Sequence, residues 1–167
     1  MDHPLYSAIL TVSDSAFLGK REDLSGKIVG QILEKNGLQV LMNLVVPDEL
    51  SVIKKYLTEW CENPDIDLIL TTGGTGVGPR DVTPEVTAPL LEREIPGLAE
   101  LMRAEGIKKT RRAALSRGLA GVRKGKLIIN LPGSPRGARE SLESILNLIP
   151  HAINLIKGDT YHPDSEG

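Results

Sequence analysis

Ile66–Glu85 reads IDLILTTGGTGVGPRDVTPE, and this stretch decides how the rest of the chain is read. Ile66, Leu68, Ile69 and Leu70 form a short apolar run that stops at Thr71-Thr72, the pattern of a strand buried on both faces. Four glycines then fall within six positions, at 73, 74, 76 and 78, where no side chain can add to a core. Such a loop offers positive φ, close backbone approach and amides able to face an anion. Thr83-Pro84-Glu85 follows as a helix start, with Thr83 as N-cap, Pro84 at the first helical position and Glu85 in the first turn. Strand, glycine loop and helix N-terminus together outline a phosphate site. It is neither of the common phosphate loops, because GxxxxGK[ST] is missing and the spacing does not give GxGxxG with a distant acid.

Outward from this loop, strands and helices alternate. Tyr6–Val12 reads as a buried strand that delivers Ser13 and Asp14 to the carboxyl edge of a sheet, where α/β proteins gather their ligands. Ser and Asp there are equally compatible with a plain turn. Ser25 is expected to cap a helix carrying Ile28, Val29, Ile32 and Leu33 inward, with Gly37 past its end. A second strand, 38–46, leads to Pro47-Asp48-Glu49 and an amphipathic helix with Leu50, Ile53, Leu57, Trp60 and Cys61 on one face. Asp48 has two readings, N-cap of that helix or a functional acid on the same edge as Asp14 and Asp81. With Thr83 supplying the cap of its own helix, Asp81 is spare. A carboxylate beside an anion loop implies a cation between them, such as Mg²⁺ held by one or two carboxylates plus nucleotide phosphates. Arg80 is a candidate phosphate partner, or else a solvated surface arginine.

Downstream, a helix from Pro84 to about Glu94 contains Pro89, which predicts a kink or restart, with Pro96-Gly97 closing the segment before a helix over 98–106. Residues 108–119 are basic and irregular. A hairpin turning at Lys124-Gly125 ends in a buried strand, 126–131. Pro132-Gly133-Ser134-Pro135 then repeats the strand, turn and helix-start theme, with Ser134 as N-cap. A last helix runs from Arg136 past a break at Pro150 to Gly158, before a polar tail, 159–167.

Composition agrees with one domain over residues 1–167. Aromatics are 3% of the chain, and aliphatics supply the core of an α/β fold. The expected architecture is a three-layer sandwich, a mostly parallel central sheet with helices on both faces. Cys61 is the sole cysteine and reads as a packed thiol, so no intrachain disulfide can form. The absence of an apolar span or a charged-then-apolar leader gives the expectation of a cytoplasmic protein with no membrane partner. The net charge of −2 conceals a basic excess between Arg103 and Arg139, where Glu105 is the only acid. That excess allows a polyanionic ligand, either phosphates or nucleic acid. Stacking aromatics and recognition motifs are missing, which argues against nucleic acid.

TTGGTGVGPRDVTPE, together with LTVSDSAF, LVVPDE, LSR at 115–117 and IINLPGSP at 128–135, resembles the signature of the molybdopterin adenylyltransferase family: the MogA/MoaB proteins and the G domains of gephyrin and its plant counterpart. The matching stretches keep the family's order from Tyr6 to Gly158, and the Pro89 interruption departs from it. The resemblance implies transfer of AMP from ATP to the terminal phosphate of molybdopterin, with pyrophosphate released. It implies Asp48 and Asp81 as the catalytic acids and Mg²⁺ ligands. Nucleotide and pterin would contact Ser13, Asp14, Thr72, Gly73, Gly74, Thr75, Gly76, Arg80, Ser116, Gly133 and Ser134. It further implies a homotrimer and a molybdenum insertase as downstream partner. A phosphate monoester is already largely dianionic at neutral pH, so such a reaction needs no strong general base. The three histidines accordingly lie away from every site motif. The alternatives are a molybdenum-insertion-type domain with the same kind of fold, or a molybdopterin-binding paralogue without transfer.

Overall fold

Successive residues of a strand face opposite sides, so a strand apolar at every position must have a core on each side. The central strand β3 (Leu68–Thr72) shows this: Leu68 and Leu70 enter one apolar cluster and Ile69 the other. The computed structural model describes residues 3–159, and the polar tail expected over 159–167 lies outside them from residue 160 onward. Around β3 stand β1 (Leu5–Val12), β2 (Leu38–Val46), β4 (Arg93–Glu94), β5 (Ala120–Arg123) and β6 (Lys126–Leu131). The sheet order is β2-β1-β3-β6-β5-β4. β2, β1, β3 and β6 are parallel, and β5 and β4 continue antiparallel.

The helices are α1 (Asp14–Phe17), α2 (Leu24–Lys35), α3 (Leu50–Glu62), α4 (Thr83–Leu90), α5 (Pro96–Ile107), α6 (Pro135–Ile145) and α7 (Ile149–Ile156). α2, α5, α6 and α7 pack Leu33, Met102, Leu142 and Ile153 against Ile9, Leu70 and Ile129. On the other face, α3 and α4 pack Leu57, Trp60 and Val86 against Leu10, Ile69 and Ile128. The expected three-layer, mostly parallel α/β architecture is therefore present, and the hairpin turns at Lys124 and Gly125, both at positive φ. Cys61 is buried, and burial raises its thiol pKa.

Four local expectations are corrected. Asp23, not Ser25, caps α2, its side chain accepting from the Gly26 amide. α4 ends at Leu90, one residue after Pro89, instead of kinking toward Glu94. The proline ring removes the N–H that would continue the helix, and the chain leaves to form β4. Pro96 opens α5 instead of closing the previous segment, since its missing N–H is no loss in a first turn. The last helix breaks over Leu146–Leu148, a 3-10 turn, and Pro150 sits in the first turn of α7. Proline cannot donate to the carbonyl four residues back, so the break precedes it.

One buried polar node ties the layers together. Asn130, 1% exposed, donates to the Thr71 and Thr87 hydroxyls at 2.9 and 3.1 Å and accepts from the Leu119 amide at 3.1 Å. Asn130→Ala leaves the Leu119 amide and the Thr71 hydroxyl without this partner beside a small void, while the Thr87 hydroxyl keeps its bond to the Thr83 carbonyl. It should cost about 3 kcal/mol in urea unfolding.

Candidate functional site

The carboxyl ends of β1, β2, β3 and β6 lie together, and the loops leaving them build the site. Gly73 lies at φ +103° and Gly74 at +68°. A Cβ on Gly73 would stand 2.2 Å from the Val12 carbonyl oxygen, and one on Gly133 3.1 Å from Gly73 Cα. The loops after β3 and β6 thus pack glycine on glycine. The Thr72 hydroxyl donates to the Pro132 carbonyl at 2.7 Å, and the Gly73 amide donates to the Leu131 carbonyl at 3.1 Å. The expectation that the Gly73 amide faces a ligand is corrected, because the end of β6 already accepts its hydrogen bond.

Beyond Gly73 the loop has a definite polarity. The Gly73 carbonyl accepts from the Thr83 hydroxyl at 2.9 Å, and the Gly74 carbonyl from the Thr83 amide at 3.0 Å. The Thr75 carbonyl accepts from the Arg117 amide at 2.8 Å, and the Gly76 carbonyl from Arg117 Nε at 2.7 Å. In a planar trans peptide the N–H points opposite the C=O. Fixing four successive carbonyls therefore turns the amides of Gly74, Thr75, Gly76 and Val77 the other way. None of these amides has a protein acceptor among the described residues. Thr83 spends its side chain on this loop and is not the α4 N-cap, which is Val82.

Asp81 is consequently not a spare carboxylate. Its Oδ2 accepts from the Gly78 amide at 2.9 Å, and a Cβ on either Gly76 or Gly78 would lie 2.9 Å from that same oxygen. The glycines let the loop wrap around it. Asp48 is not the N-cap of α3 either; Glu49 holds that position without a side-chain bond. Instead Asp14 and Asp48 clasp each other. Asp48 Oδ2 accepts from the Asp14 amide at 2.9 Å, and Asp14 Oδ1 accepts from the Asp48 amide at 3.0 Å. Arg80 Nε and Nη2 reach Asp14 Oδ2 and Oδ1 at 2.7 and 3.0 Å, a bidentate pair that leaves Arg80 59% exposed.

Two cavities meet at this edge. The first, about 580 Å³, is lined by Ser13, Asp23, Asp48, Thr72, Gly73, Gly74, Asp81, Gly133 and Ser134. The second, about 560 Å³, is lined by Thr75, Gly76, Met102, Arg103, Lys109, Arg112, Leu115, Ser116, Gly133, Ser134 and Arg136. Gly133 and Ser134 form the shared wall, with Ser134 capping α6 through the Gly137 amide at 3.0 Å. Of the residues expected from sequence, Asp14 and Arg80 line neither cavity and engage one another. Ser116 lies in the second cavity, with its hydroxyl accepting from the Gly118 amide at 3.4 Å. Arg117 and Asp23 were not anticipated. Asp23 has a local signature, an acid three residues before the Gly26 amide that it caps, and Arg117 lies inside the LSR stretch at 115–117 with no role assigned to it.

The first cavity is acidic. Burial pushes Asp48 above the usual carboxylate value; the bond from the Asp14 amide opposes this, the charges of Asp14 and Asp81 add to it, and Arg80 opposes it. The hydrogen bond from Arg80, by contrast, holds Asp14 low. A cation meets both needs of the Asp48–Asp81 pair, since two hard carboxylates leave the rest of an octahedral shell to phosphate and water. The donor set therefore fits Mg²⁺. Among the described residues no cluster of three or more His, Cys, Asp or Glu side chains forms an all-protein metal cage. A carboxylate with a raised folded pKa stabilises the fold below its unfolded value, and that stability is lost as pH rises through the folded pKa. Asp48→Asn mimics the protonated form. It should melt higher than the parent at neutral pH without divalent metal, and the gap should close as pH falls toward 3.8 in thermal scans.

The basic excess is largely engaged within the chain. Arg103 donates to the Ser116 and Gly118 carbonyls, Arg117 to the glycine loop and Arg123 to the Leu90 carbonyl. Lys124 pairs with Glu62, Lys108 with Glu105, and Lys109 and Arg136 with Glu140. Of these, Arg103, Lys109 and Arg136 line the second cavity, together with Arg112 and with Glu140, the partner of Lys109 and Arg136. No helix among the described residues is long and apolar enough to cross a membrane.

These features define an α/β protein of the type that takes ligands beyond the carboxyl ends of parallel strands. Residues 8–151 match the family model described as a probable molybdopterin binding domain. The molybdopterin adenylyltransferase of Helicobacter pylori (strain 26695) is 42% identical over 158 residues, 93% of this chain and 89% of that protein. The Drosophila melanogaster molybdenum cofactor synthesis protein cinnamon is 45% identical over 153 residues, covering 90% of this chain. This chain spans about a quarter of that protein, 25% of its length. The crystal structure of the molybdopterin biosynthesis enzyme MoaB from Thermus thermophilus superposes with a TM-score of 0.87 at 54% identity, covering 92% of this chain and 97% of that one. The chain belongs to the molybdopterin adenylyltransferase family of molybdopterin-binding domains, with MogA/MoaB and gephyrin among its relatives.

Proposed function

We propose that this protein acts in molybdenum cofactor biosynthesis by transferring AMP from ATP to the terminal phosphate of molybdopterin. A phosphate oxygen of molybdopterin forms the new bond to the α-phosphorus, and the bond from that phosphorus to the bridging oxygen breaks as pyrophosphate departs. The observation that carries this reading is the loop polarity: the amides of Gly74 to Val77 have no protein acceptor among the described residues, and Gly74 lines the acidic cavity while Thr75 and Gly76 line the second, the two sharing the Gly133–Ser134 wall.

The roles follow from charge. Mg²⁺, when bound, neutralises phosphate charge and favours the departing pyrophosphate. Asp48 and Asp81 would hold it, so the triphosphate belongs in the acidic cavity. The loop amides, with the Thr75 hydroxyl, hold phosphate oxygens as charge moves between them. The basic rim of Arg103, Lys109, Arg112 and Arg136 receives the second anion, molybdopterin, against Met102 and Leu115. Ser116 and Ser134 supply hydroxyls on its walls. Arg80 must exchange Asp14 for phosphate to take part directly. Catalysis is then positioning and charge neutralisation, as phosphoryl chemistry generally requires.

This reading also carries the homotrimer, the cytoplasmic setting and the molybdenum insertase that would consume the product. The test is product analysis. ATP, Mg²⁺ and molybdopterin should give pyrophosphate and adenylylated molybdopterin in equal amounts. Molybdate-dependent release of AMP without pyrophosphate would assign the chain to metal insertion instead.

A further inference from the structure

Resting on the adenylyl-transfer reading, we infer that Arg117 is a positioning residue that holds the glycine loop in its anion-accepting polarity. Its guanidinium reaches three separated points of one loop: the Gly76 carbonyl at 2.7 Å, the Asp81 carbonyl at 2.9 Å and Glu85 Oε1 at 2.6 Å. Its own amide holds a fourth, the Thr75 carbonyl at 2.8 Å. The loop from Thr75 to the first turn of α4 is thus closed around one side chain. Among the described residues, the other bonds that pin this segment are the Gly78 amide's to the Asp81 carboxylate, the Asp81 amide's to the Gly78 carbonyl, the Val86 amide's to the Val82 carbonyl, and those of Thr83 to the Gly73 and Gly74 carbonyls.

The consequence concerns direction. Arg117 takes the carbonyls of residues 75 and 76, so the N–H groups of Gly76 and Val77 point away from it. Thr83 does the same for residues 73 and 74. Glycine's wide conformational freedom means that without the second anchor these peptides can flip, replacing donors by acceptors at the place where anionic oxygens would sit. Arg117 is itself fixed by its neighbours. Arg103 Nη1 donates to the carbonyls on either side of it, Ser116 at 3.3 Å and Gly118 at 3.2 Å, and a Cβ on Gly118 would crowd the Asn130 carbonyl oxygen at 3.0 Å. Lysine can supply the charge but not a planar fork to several oxygens.

The experiment compares the parent chain with Arg117→Ala and Arg117→Lys, the latter keeping an aliphatic stem and a charge should the alanine variant fold poorly. Arg117→Ala should lose about 10²-fold in kcat/KM for Mg·ATP, with recovery on adding guanidinium at a non-denaturing concentration. Arg117→Lys should remain well below the parent. By NMR, the Gly76 and Val77 amides should fall from rigid-backbone order parameters near about 0.85 to below about 0.6 in Arg117→Ala, whereas Gly74, whose peptide is held by Thr83, should stay rigid. Parent-like kcat/KM in Arg117→Ala, or a loss with the loop amides still rigid, overturns the assignment. If the parent chain itself binds no Mg·ATP, the adenylyl-transfer reading fails, and the order parameters still decide whether Arg117 holds the loop.

Discussion

Asp81→Asn is expected to fold like the parent and to lose about 10²–10³-fold in pyrophosphate release. Asparagine keeps an oxygen for the Gly78 amide, now held at 2.9 Å, so the loop that wraps this side chain stays closed. Only the charge facing the acidic cavity disappears. Asp81→Ala is a different experiment, because it also releases Gly78 and empties the space against Gly76 and Gly78. Single-turnover assays with Mg²⁺ and a thermal scan separate the two effects. An asparagine variant that melts as the parent does and still turns over at the parental rate removes Asp81 from the metal site.

The second large effect is on stability. Gly73→Ala should cost about 4 kcal/mol in urea unfolding, because it combines a strained φ of +103° with a Cβ 2.2 Å from the Val12 carbonyl oxygen. Both partners are backbone, so neither can swing aside. Gly37→Ala is the control. Its φ of +82° is also left-handed, but a Cβ there meets nothing within 4 Å. About 1 kcal/mol is expected from backbone strain alone. Equal losses at the two positions would mean that the β1 and β3 ends do not pack as closely as described.

Sheet and helices were legible because their signals are local. Short apolar runs within 66–70 and 126–131 mark strands with a core on each side, and Ser134-Pro135 marks the start of α6. The glycine cluster was equally plain. Prolines were harder, since proline forbids a hydrogen bond without saying whether the helix ends before it or begins with it. Pro89 ended a helix, whereas Pro96 and Pro150 each lie in the first turn of one. Thr83, and Asp48 in one of its two readings, resembled caps because the cap pattern uses the same residue types that bind distant loops.

By itself, the sequence determined the parallel α/β core, the edge on which the loops gather and the family to which the chain belongs, since each is written in periodicity or in contiguous motifs. Tertiary structure alone decided which amides remain open, that Asp14 braces Asp48 and holds Arg80, and that Arg117 fastens the loop across 41 residues of sequence. Hydrogen bonds between residues so far apart leave no periodic trace. They exist only once the sheet has brought its strand ends together.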